Sequence, residues 1–174
     1  TFEYSDIKVD KDGVSFTIKN AGKRDGAEIA QLYVGKKDSK LFRPAHELKG
    51  FVKVSLKAGE SKQVKIAFDK RTFRYYNVKT QAWEEEGGNY EIYVGASCAD
   101  IRLQGSVERA GTKAEVPYDA AKLPSYYSGK AEDVGKEEFE ALLGRPIPRA
   151  TYKFYKKRRM VIDENSTVAD LRFS

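Results

Sequence analysis

The chain has 174 residues, of which 40% are apolar and 33% charged, enough for one packed domain and an additional segment. The net charge of +6 is mixed along most of the sequence, so a nucleic-acid-binding protein is not expected. Cys98 is the only cysteine, which excludes an intrachain disulfide and a thiolate metal cluster. No apolar run approaches the ~20 residues of a membrane-spanning helix, so no membrane partner is expected.

Residues 2 to about 107 alternate short strand-like segments with turn signals. Val14, Phe16 and Ile18 alternate with polar residues, which is the period of a half-buried strand. Residues 27–35 are apolar on both faces, as in a central strand. Further strands are expected at 51–56, 64–68, 73–76, 82–84, 90–94 and 101–107. This spacing of about eight strands predicts an all-β, immunoglobulin-like sandwich over residues 1–107.

Residues 108–174 are predicted to form a mostly irregular C-terminal extension that packs on the sandwich or on a neighbouring domain. Residues 110–134 have the proline and glycine content of a loop. A short helix should follow and end at Gly144, because apolar residues precede that glycine at helical spacing. A second short helix is expected to start at Asn165 or Ser166. The chain starts without Met and ends inside that helix, so we expect a piece of a longer protein.

The sequence Arg-Pro-Ala-His-Glu-Leu-Lys-Gly-Phe at 43–51 joins two of the expected strands. With Gln31-Leu32-Tyr33-Val34 before it and Val94-Gly95-Ala96-Ser97 after it, this passage resembles the fibronectin type III-like domain of glycoside hydrolase family 3, the β-glucosidase family. Similar pieces lie at 19–22, 25–28, 73–76, 83 and 87–90. Residues 137–146 and 165–171 resemble the C-terminal extension of β-glucosidases from Gram-positive gut bacteria.

The resemblance implies an accessory region and not an enzyme in its own right. The family's aspartate nucleophile and glutamate acid/base belong to a barrel and an α/β sandwich domain, and the Asp-Trp nucleophile motif is missing here, since Trp83 follows Ala82. The implied partners are these two catalytic domains, in the same chain or as a separate one. The parent protein is expected to be a retaining β-glucosidase of the bacterial cytoplasm, and this region is expected to need no cofactor.

The loop that carries the resemblance also supplies the candidate site. Four of its residues are candidates for contact with a neighbouring domain or the rim of its active site: Arg43, Pro44, His46 and Glu47. Leu48 and Phe51 are expected to anchor the loop in the core of the sandwich. Pro44 cannot donate to a sheet, which keeps the segment irregular or at an edge.

An independent carbohydrate-binding module is the alternative function, since Trp83, Tyr126 and Tyr127 could stack on sugar rings. Packing in a core or an interface explains large aromatic residues better. The cluster Glu84–Glu86 is interpreted as a solvated hairpin end, because neighbouring strand residues point to opposite faces. His46 is the only histidine, and no spacing of metal ligands accompanies it, so no metal site is expected.

Overall fold

The computed structural model of the chain describes residues 1–147, in which nine β-strands precede two short α-helices. The strands are β1 Phe2–Val9, β2 Gly13–Asn20, β3 Gly26–Gly35, β4 Glu47–Leu56, β5 Ser61–Ala67, β6 Arg74–Asn77, β7 Ala82–Glu85, β8 Gly88–Ser97 and β9 Asp100–Arg109. The helices are α1 Pro124–Ser128 and α2 Lys136–Leu143, with 3₁₀ turns at Ala120–Lys122 and Ala131–Asp133. The predicted all-β class with short C-terminal helices is confirmed.

Two antiparallel sheets form the sandwich. One has the strand order β1-β2-β5 and the other has the order β4-β3-β8-β9, while β6 and β7 form a separate hairpin. In the larger sheet, β4 is an edge strand, and Leu32 and Tyr33 of β3 pair with Gly50 and Leu48 of β4 across a bulge that leaves Lys49 unpaired. This bulge lies inside the passage of residues 43–51 that carries the family resemblance.

The core fills the space between the two sheets. Its fully buried side chains alternate along each strand, as the period of two predicts. The buried cluster contains Val14, Phe16, Ile18, Ala30, Leu32, Val34, Val54, Leu56, Val64, Ile66, Phe73, Tyr90, Ile92 and Val94. Gly50 lies opposite this cluster, and a Cβ there would be 3.0 Å from Cγ2 of Ile66. Gly50 therefore continues β4 with its Cα facing the core, and the absence of a side chain there lets the two sheets approach.

The first part of the extension contacts the sandwich. Strand β9 runs to Arg109, and the amide of Thr112 then donates to the carbonyl of Glu85 at 2.7 Å. Asn77, fully buried at the end of β6, donates from Nδ2 to the carbonyl of Glu115 at 2.8 Å. These bonds keep the chain beside the β6–β7 hairpin after β9, while the division into domains at residue 107 stays a prediction.

The helix predicted before Gly144 is present as α2. Gly144 caps it in the left-handed conformation, with φ of 72°, and its amide donates to the carbonyl of Glu140. The helix has no side-chain cap at Gly135, in keeping with the absence of Ser, Thr, Asn or Asp there. The second predicted helix, at Asn165 or Ser166, lies outside the described residues.

Tyr4 offers a test of the core. Its ring stacks on Phe16 with a centroid distance of 6.1 Å, but its buried hydroxyl finds no hydrogen-bond partner within residues 1–147. We expect Tyr4→Phe to raise the free energy of unfolding by about 1 kcal/mol, because the ring stays and the cost of the unpaired hydroxyl disappears. Urea unfolding followed by circular dichroism measures the change.

Tyr90→Phe is the matched control for this prediction. The Tyr90 hydroxyl donates to the carbonyl of Glu86 at 2.7 Å, so its removal should lower the free energy of unfolding by about 1 kcal/mol or more. A loss of stability in Tyr4→Phe of the same size as in Tyr90→Phe would show that the Tyr4 hydroxyl is satisfied.

Candidate functional site

Arg43 lies in the irregular loop of residues 36–46, between β3 and β4, and its guanidinium turns into the protein. The side chain is only 8% exposed. Nε donates to Glu47 Oε1 at 2.8 Å, and Nη1 donates to the hydroxyl of Tyr90 at 3.3 Å. The guanidinium also lies 5.5 Å from the centroid of the Tyr90 ring. Arg43 thus fastens the loop to β8, and its side chain is not directed outward; a role of the loop at a domain interface stays a prediction.

Charge pairing keeps this contact ionised. Burial alone would lower the pKa of Arg43, but the hydrogen bond and charge of Glu47, together with Tyr90, outweigh it and raise the pKa above its ordinary value. Burial alone would raise the pKa of Glu47, but Lys49, 2.8 Å away, and Arg43 outweigh it and lower the pKa. Both shifts favour the ionised form, so the pair is a charged contact at neutral pH.

Glu86 holds the opposite side of the same loop. Its carboxylate accepts a hydrogen bond from Ser39 Oγ at 2.6 Å and from the amide of Lys40 at 2.8 Å. Its neighbour Glu85 accepts from Arg109 Nε at 2.7 Å. The interpretation of this cluster as a solvated hairpin end is wrong for both residues, whose side chains are 15% and 18% exposed. Each carboxylate is committed to its own partners.

The second half of the loop packs on the outer face of the larger sheet. The imidazole of His46 meets the ring of Tyr93 edge-on at 4.5 Å between centroids and lies 6.3 Å from the ring of Tyr33. Gly35 leaves room for this course, because a Cβ there would be 2.5 Å from the carbonyl oxygen of Ala45. Pro44 is exposed at the bend. Pro44 and His46 are thus accessible candidates for contact with another domain.

Leu48 and Phe51 do not anchor the loop in the core. Leu48 is 55% exposed and Phe51 is 70% exposed. The inward residues of β4 are Val52, Val54 and Leu56, and the period of two places Phe51 on the opposite face. The expectation of core packing was therefore wrong, although the alternation from Val52 to Leu56 carried the signal.

Phe51 and Leu48 belong to an apolar outer face of the larger sheet. Phe51 pairs with Gln31 and Leu48 pairs with Tyr33, while Ile29, two residues before Gln31 on the same face of β3, is 45% exposed. We call Ile29, Leu48 and Phe51 the outer apolar face. Polar side chains accompany them on this face, since Ile29 pairs with Lys53 and Phe51 pairs with Gln31.

The extension reaches the tip of the 36–46 loop with three tyrosines. The hydroxyl of Tyr118 accepts a hydrogen bond from the amide of Phe42 at 2.5 Å, and the hydroxyl of Tyr127 donates to the carbonyl of Lys40 at 3.1 Å. The rings of Tyr126 and Tyr127 meet the Phe42 ring edge-on at 5.4 and 6.0 Å. Tyr126 and Tyr127, candidates for sugar stacking, thus pack on Phe42, while Tyr127 stays 43% exposed. No sequence pattern linked residue 42 to residues 118–127.

Trp83, the third candidate for sugar stacking, lies elsewhere, on the β6–β7 hairpin. It is 62% exposed and pairs across the hairpin with Tyr76, which is 50% exposed. The two rings meet edge-on, with centroids 5.7 Å apart. This pair is accessible, but one ring edge covers part of the face that a sugar ring would need.

Residues 1–147 contain no cluster of metal ligands and no membrane-spanning helix. No three His, Cys, Asp or Glu residues in this part of the chain are placed to hold a metal ion. None of the helices described there is long and apolar enough to cross a membrane. Cys98 is exposed at the turn between β8 and β9.

Residues 28–98 match the sequence model of the fibronectin type III-like domain. Over 114 residues the chain is 48% identical to thermostable β-glucosidase B of Acetivibrio thermocellus, covering 61% of this chain and 15% of that protein. It is 45% identical over 106 residues to an exo-α-(1→6)-L-arabinopyranosidase of Bifidobacterium breve, covering 58% of this chain and 14% of that protein. The chain therefore spans about one seventh of the length of these relatives.

The crystal structure of a glycoside hydrolase family 3 β-glucosidase from Bifidobacterium adolescentis is similar to this structure. The TM-score is 0.61 at 33% identity, and the match covers 83% of this chain and 20% of that one. A β-glucosidase from Chaetomella raphigera matches with a TM-score of 0.59 at 31% identity, over 62% of this chain and 18% of that one. The similar region is thus a part of larger β-glucosidases.

Proposed function

We propose that this chain is the accessory region of a family 3 β-glucosidase. The premise is that residues 28–98 form a fibronectin type III-like domain of the kind found in such enzymes. The parent protein hydrolyses β-glucosides with retention, and its nucleophile and acid/base lie in other domains. The region described here has no catalytic role and supports those domains through contacts in the same chain.

The outer apolar face carries this proposal. Phe51, Leu48 and Ile29 expose large apolar side chains on one side of a rigid sheet, beside the accessible Pro44 and His46. Burial of such a patch against another domain is favourable by roughly 25 cal/mol for each Å² of apolar surface removed from water. The relatives are about seven times longer than the matched region, which leaves length in them for such domains. We assign this face to contact with the catalytic domains.

The similarity to enzymes with different sugar specificities supports an accessory role. Residues of this chain are 48% identical to a β-glucosidase and 45% identical to an arabinopyranosidase. A region that determined the sugar would be expected to differ more between these activities. We therefore place substrate choice outside residues 1–147.

A complex assembled from two pieces tests the proposal. The 174-residue chain is mixed with the separately produced catalytic part of the parent enzyme, and binding is measured by calorimetry. We expect association at micromolar concentration, and we expect Phe51→Asp to weaken it at least about tenfold, because a buried apolar contact becomes an unpaired charge. Tyr76→Asp, a change of an exposed aromatic residue on the β6–β7 hairpin, is the matched control and should leave the affinity unchanged.

Two outcomes would contradict this proposal. One is the absence of association at micromolar concentration, and the other is an equal loss of affinity in Phe51→Asp and Tyr76→Asp. Turnover of a chromogenic β-glucoside by the purified chain, beyond a mock-purified control, would contradict its lack of a catalytic role.

The exposed pair of Tyr76 and Trp83 is the observation that favours the alternative, a carbohydrate-binding module. Titration of the chain with cello-oligosaccharides and laminarin distinguishes the two functions. Saturable binding that is lost in Trp83→Ala would establish the module, whereas no heat at millimolar sugar would remove it.

A further inference from the structure

The tip of the 36–46 loop has no secondary structure of its own, yet contacts from two directions hold it. Lys40 shows this most directly, because its amide donates to Glu86 at 2.8 Å and its carbonyl accepts from Tyr127 at 3.1 Å. Glu86 follows strand β7 of the hairpin, whereas Tyr127 belongs to helix α1 and lies 87 residues after Lys40 in the sequence. The side chain of Leu41, at the same tip, is 4% exposed.

We infer that the stretch from Tyr118 to Tyr127 is a clamp that fixes residues 40–42 of the loop, with Tyr118 and Tyr127 as positioning residues. The amide of Phe42 donates to the Tyr118 hydroxyl, and the Phe42 ring lies against Tyr126 and Tyr127. Burial raises the pKa of both Tyr118 and Tyr127, so both hydroxyls keep their protons at neutral pH. The extension thereby determines the conformation of a loop that the sequence joins only to β3 and β4.

The clamp is itself fixed in place, so it can hold the loop. Leu123, just before α1, is fully buried. Glu138 of α2 accepts hydrogen bonds from the amides of Ser125 at 2.7 Å and Tyr126 at 3.3 Å, at the start of α1. A carboxylate satisfies the free amides at a helix start, so α2 braces α1. Pro124 at the first position of α1 also favours this helix start.

Hydrogen exchange of the 174-residue chain, read by mass spectrometry, tests the clamp. In Tyr118→Phe the amide of Phe42 loses its acceptor, and we expect its exchange to speed up about tenfold or more. Tyr127→Phe should speed up exchange over residues 40–42 as well, since the carbonyl of Lys40 loses its donor. Tyr126→Phe is the matched control, because the hydroxyl of Tyr126 makes no hydrogen bond within residues 1–147, and it should change exchange less than about twofold.

Amides of Ile92 and Val34, in the core strands, report whether a variant stays folded. Unchanged exchange at these amides with faster exchange at 40–42 supports the clamp. Unchanged exchange at 40–42 in both Tyr118→Phe and Tyr127→Phe overturns it. If the core amides also speed up in one variant, the other one decides, since each removes a different hydrogen bond to the loop.

The consequence for catalysis rests on the proposed function and is tested separately. If the loop lies at the rim of the active site of the parent enzyme, Tyr118→Phe there should raise KM and leave kcat unchanged, whereas Tyr126→Phe should change neither. Faster exchange at 40–42 with an unchanged KM would support the clamp and contradict the position of the loop at the rim.

Discussion

Gly111→Ala should lower the free energy of unfolding by about 4 kcal/mol, enough to unfold much of the chain at moderate temperature. Gly111 has φ of +70°, a conformation that costs an alanine about 1 kcal/mol or more. A Cβ there would also be 2.2 Å from the amide nitrogen and 2.5 Å from the Cα of Gly87, and 2.9 Å from the carbonyl oxygen of Glu85. These are backbone atoms, which cannot turn aside as a flexible side chain can.

The surrounding hydrogen bonds prevent a simple relaxation. Thr112, next to Gly111, donates from its amide to the carbonyl of Glu85 at 2.7 Å, and its Oγ1 accepts from the amide of Glu85 at 3.0 Å. Moving Gly87 away from the new methyl group would stretch these bonds and the start of β8. The cost of the substitution therefore exceeds the conformational term alone.

Gly59→Ala separates the two contributions. Gly59 has φ of +76°, close to that of Gly111, but a Cβ at this position would have no atom within 4 Å. It should lose only about 1 kcal/mol, the cost of the left-handed conformation. Urea unfolding of both variants, followed by circular dichroism, measures the difference in the free energy of unfolding. Equal losses in Gly111→Ala and Gly59→Ala would show that the backbones at Gly87 and Gly111 move apart at little cost.

The crossing at Gly87 and Gly111 also illustrates what the sequence could predict. Gly87 and Gly88 lie where the chain enters β8, and a pair of glycines is a turn signal that can be recognised locally. The close approach of the backbone at Gly111, 24 residues later, is a second requirement at Gly87. No local sequence pattern indicates it. A glycine demanded by a distant backbone looks the same in sequence as a glycine demanded by a turn.

Local rules predicted the strands and the helix before Gly144, since period and capping act within a few residues. They failed where a distant partner decides. Glu86 was interpreted as solvated because its hydrogen-bond donors, Ser39 and Lys40, lie 46 or more residues away in the sequence. Nothing in the sequence marks Phe42 as the packing partner of Tyr126 and Tyr127. Phe51 is a different case, since its alternation with Val52 already indicated the outer face.

Arg43→Ala is the second substitution with a large expected effect, a loss of about 3 kcal/mol in the free energy of unfolding. The buried guanidinium binds Glu47 and Tyr90, so its removal leaves a half-buried carboxylate with Lys49 as its remaining partner. Arg102→Ala is the matched control. Arg102 pairs with Asp100 at the surface, with 39% of its side chain exposed, and its removal should cost less than about 1 kcal/mol.

A double-mutant cycle identifies the cause of the loss. Glu47→Gln alone should destabilise the chain, and the double change Arg43→Ala with Glu47→Gln should cost clearly less than the sum of the two single changes, because the carboxylate left unpaired in Arg43→Ala is gone. Additive losses would contradict the coupling of the two residues.

The direction of the Arg43 side chain also changes how a binding experiment must be interpreted. The Arg43 side chain is only 8% exposed, and its guanidinium lies against the Tyr90 ring. If Arg43→Ala reduces the affinity for the partner, we therefore expect the cause to be release of the loop and not loss of a direct contact. Phe51→Asp removes a side chain that is 70% exposed and should leave the loop in place. Arg43→Ala should therefore reduce both the stability of the free chain and its affinity, whereas Phe51→Asp should reduce affinity alone. If the Arg43→Ala chain keeps its full free energy of unfolding but loses affinity for the catalytic part, Arg43 would instead be a direct contact of the partner.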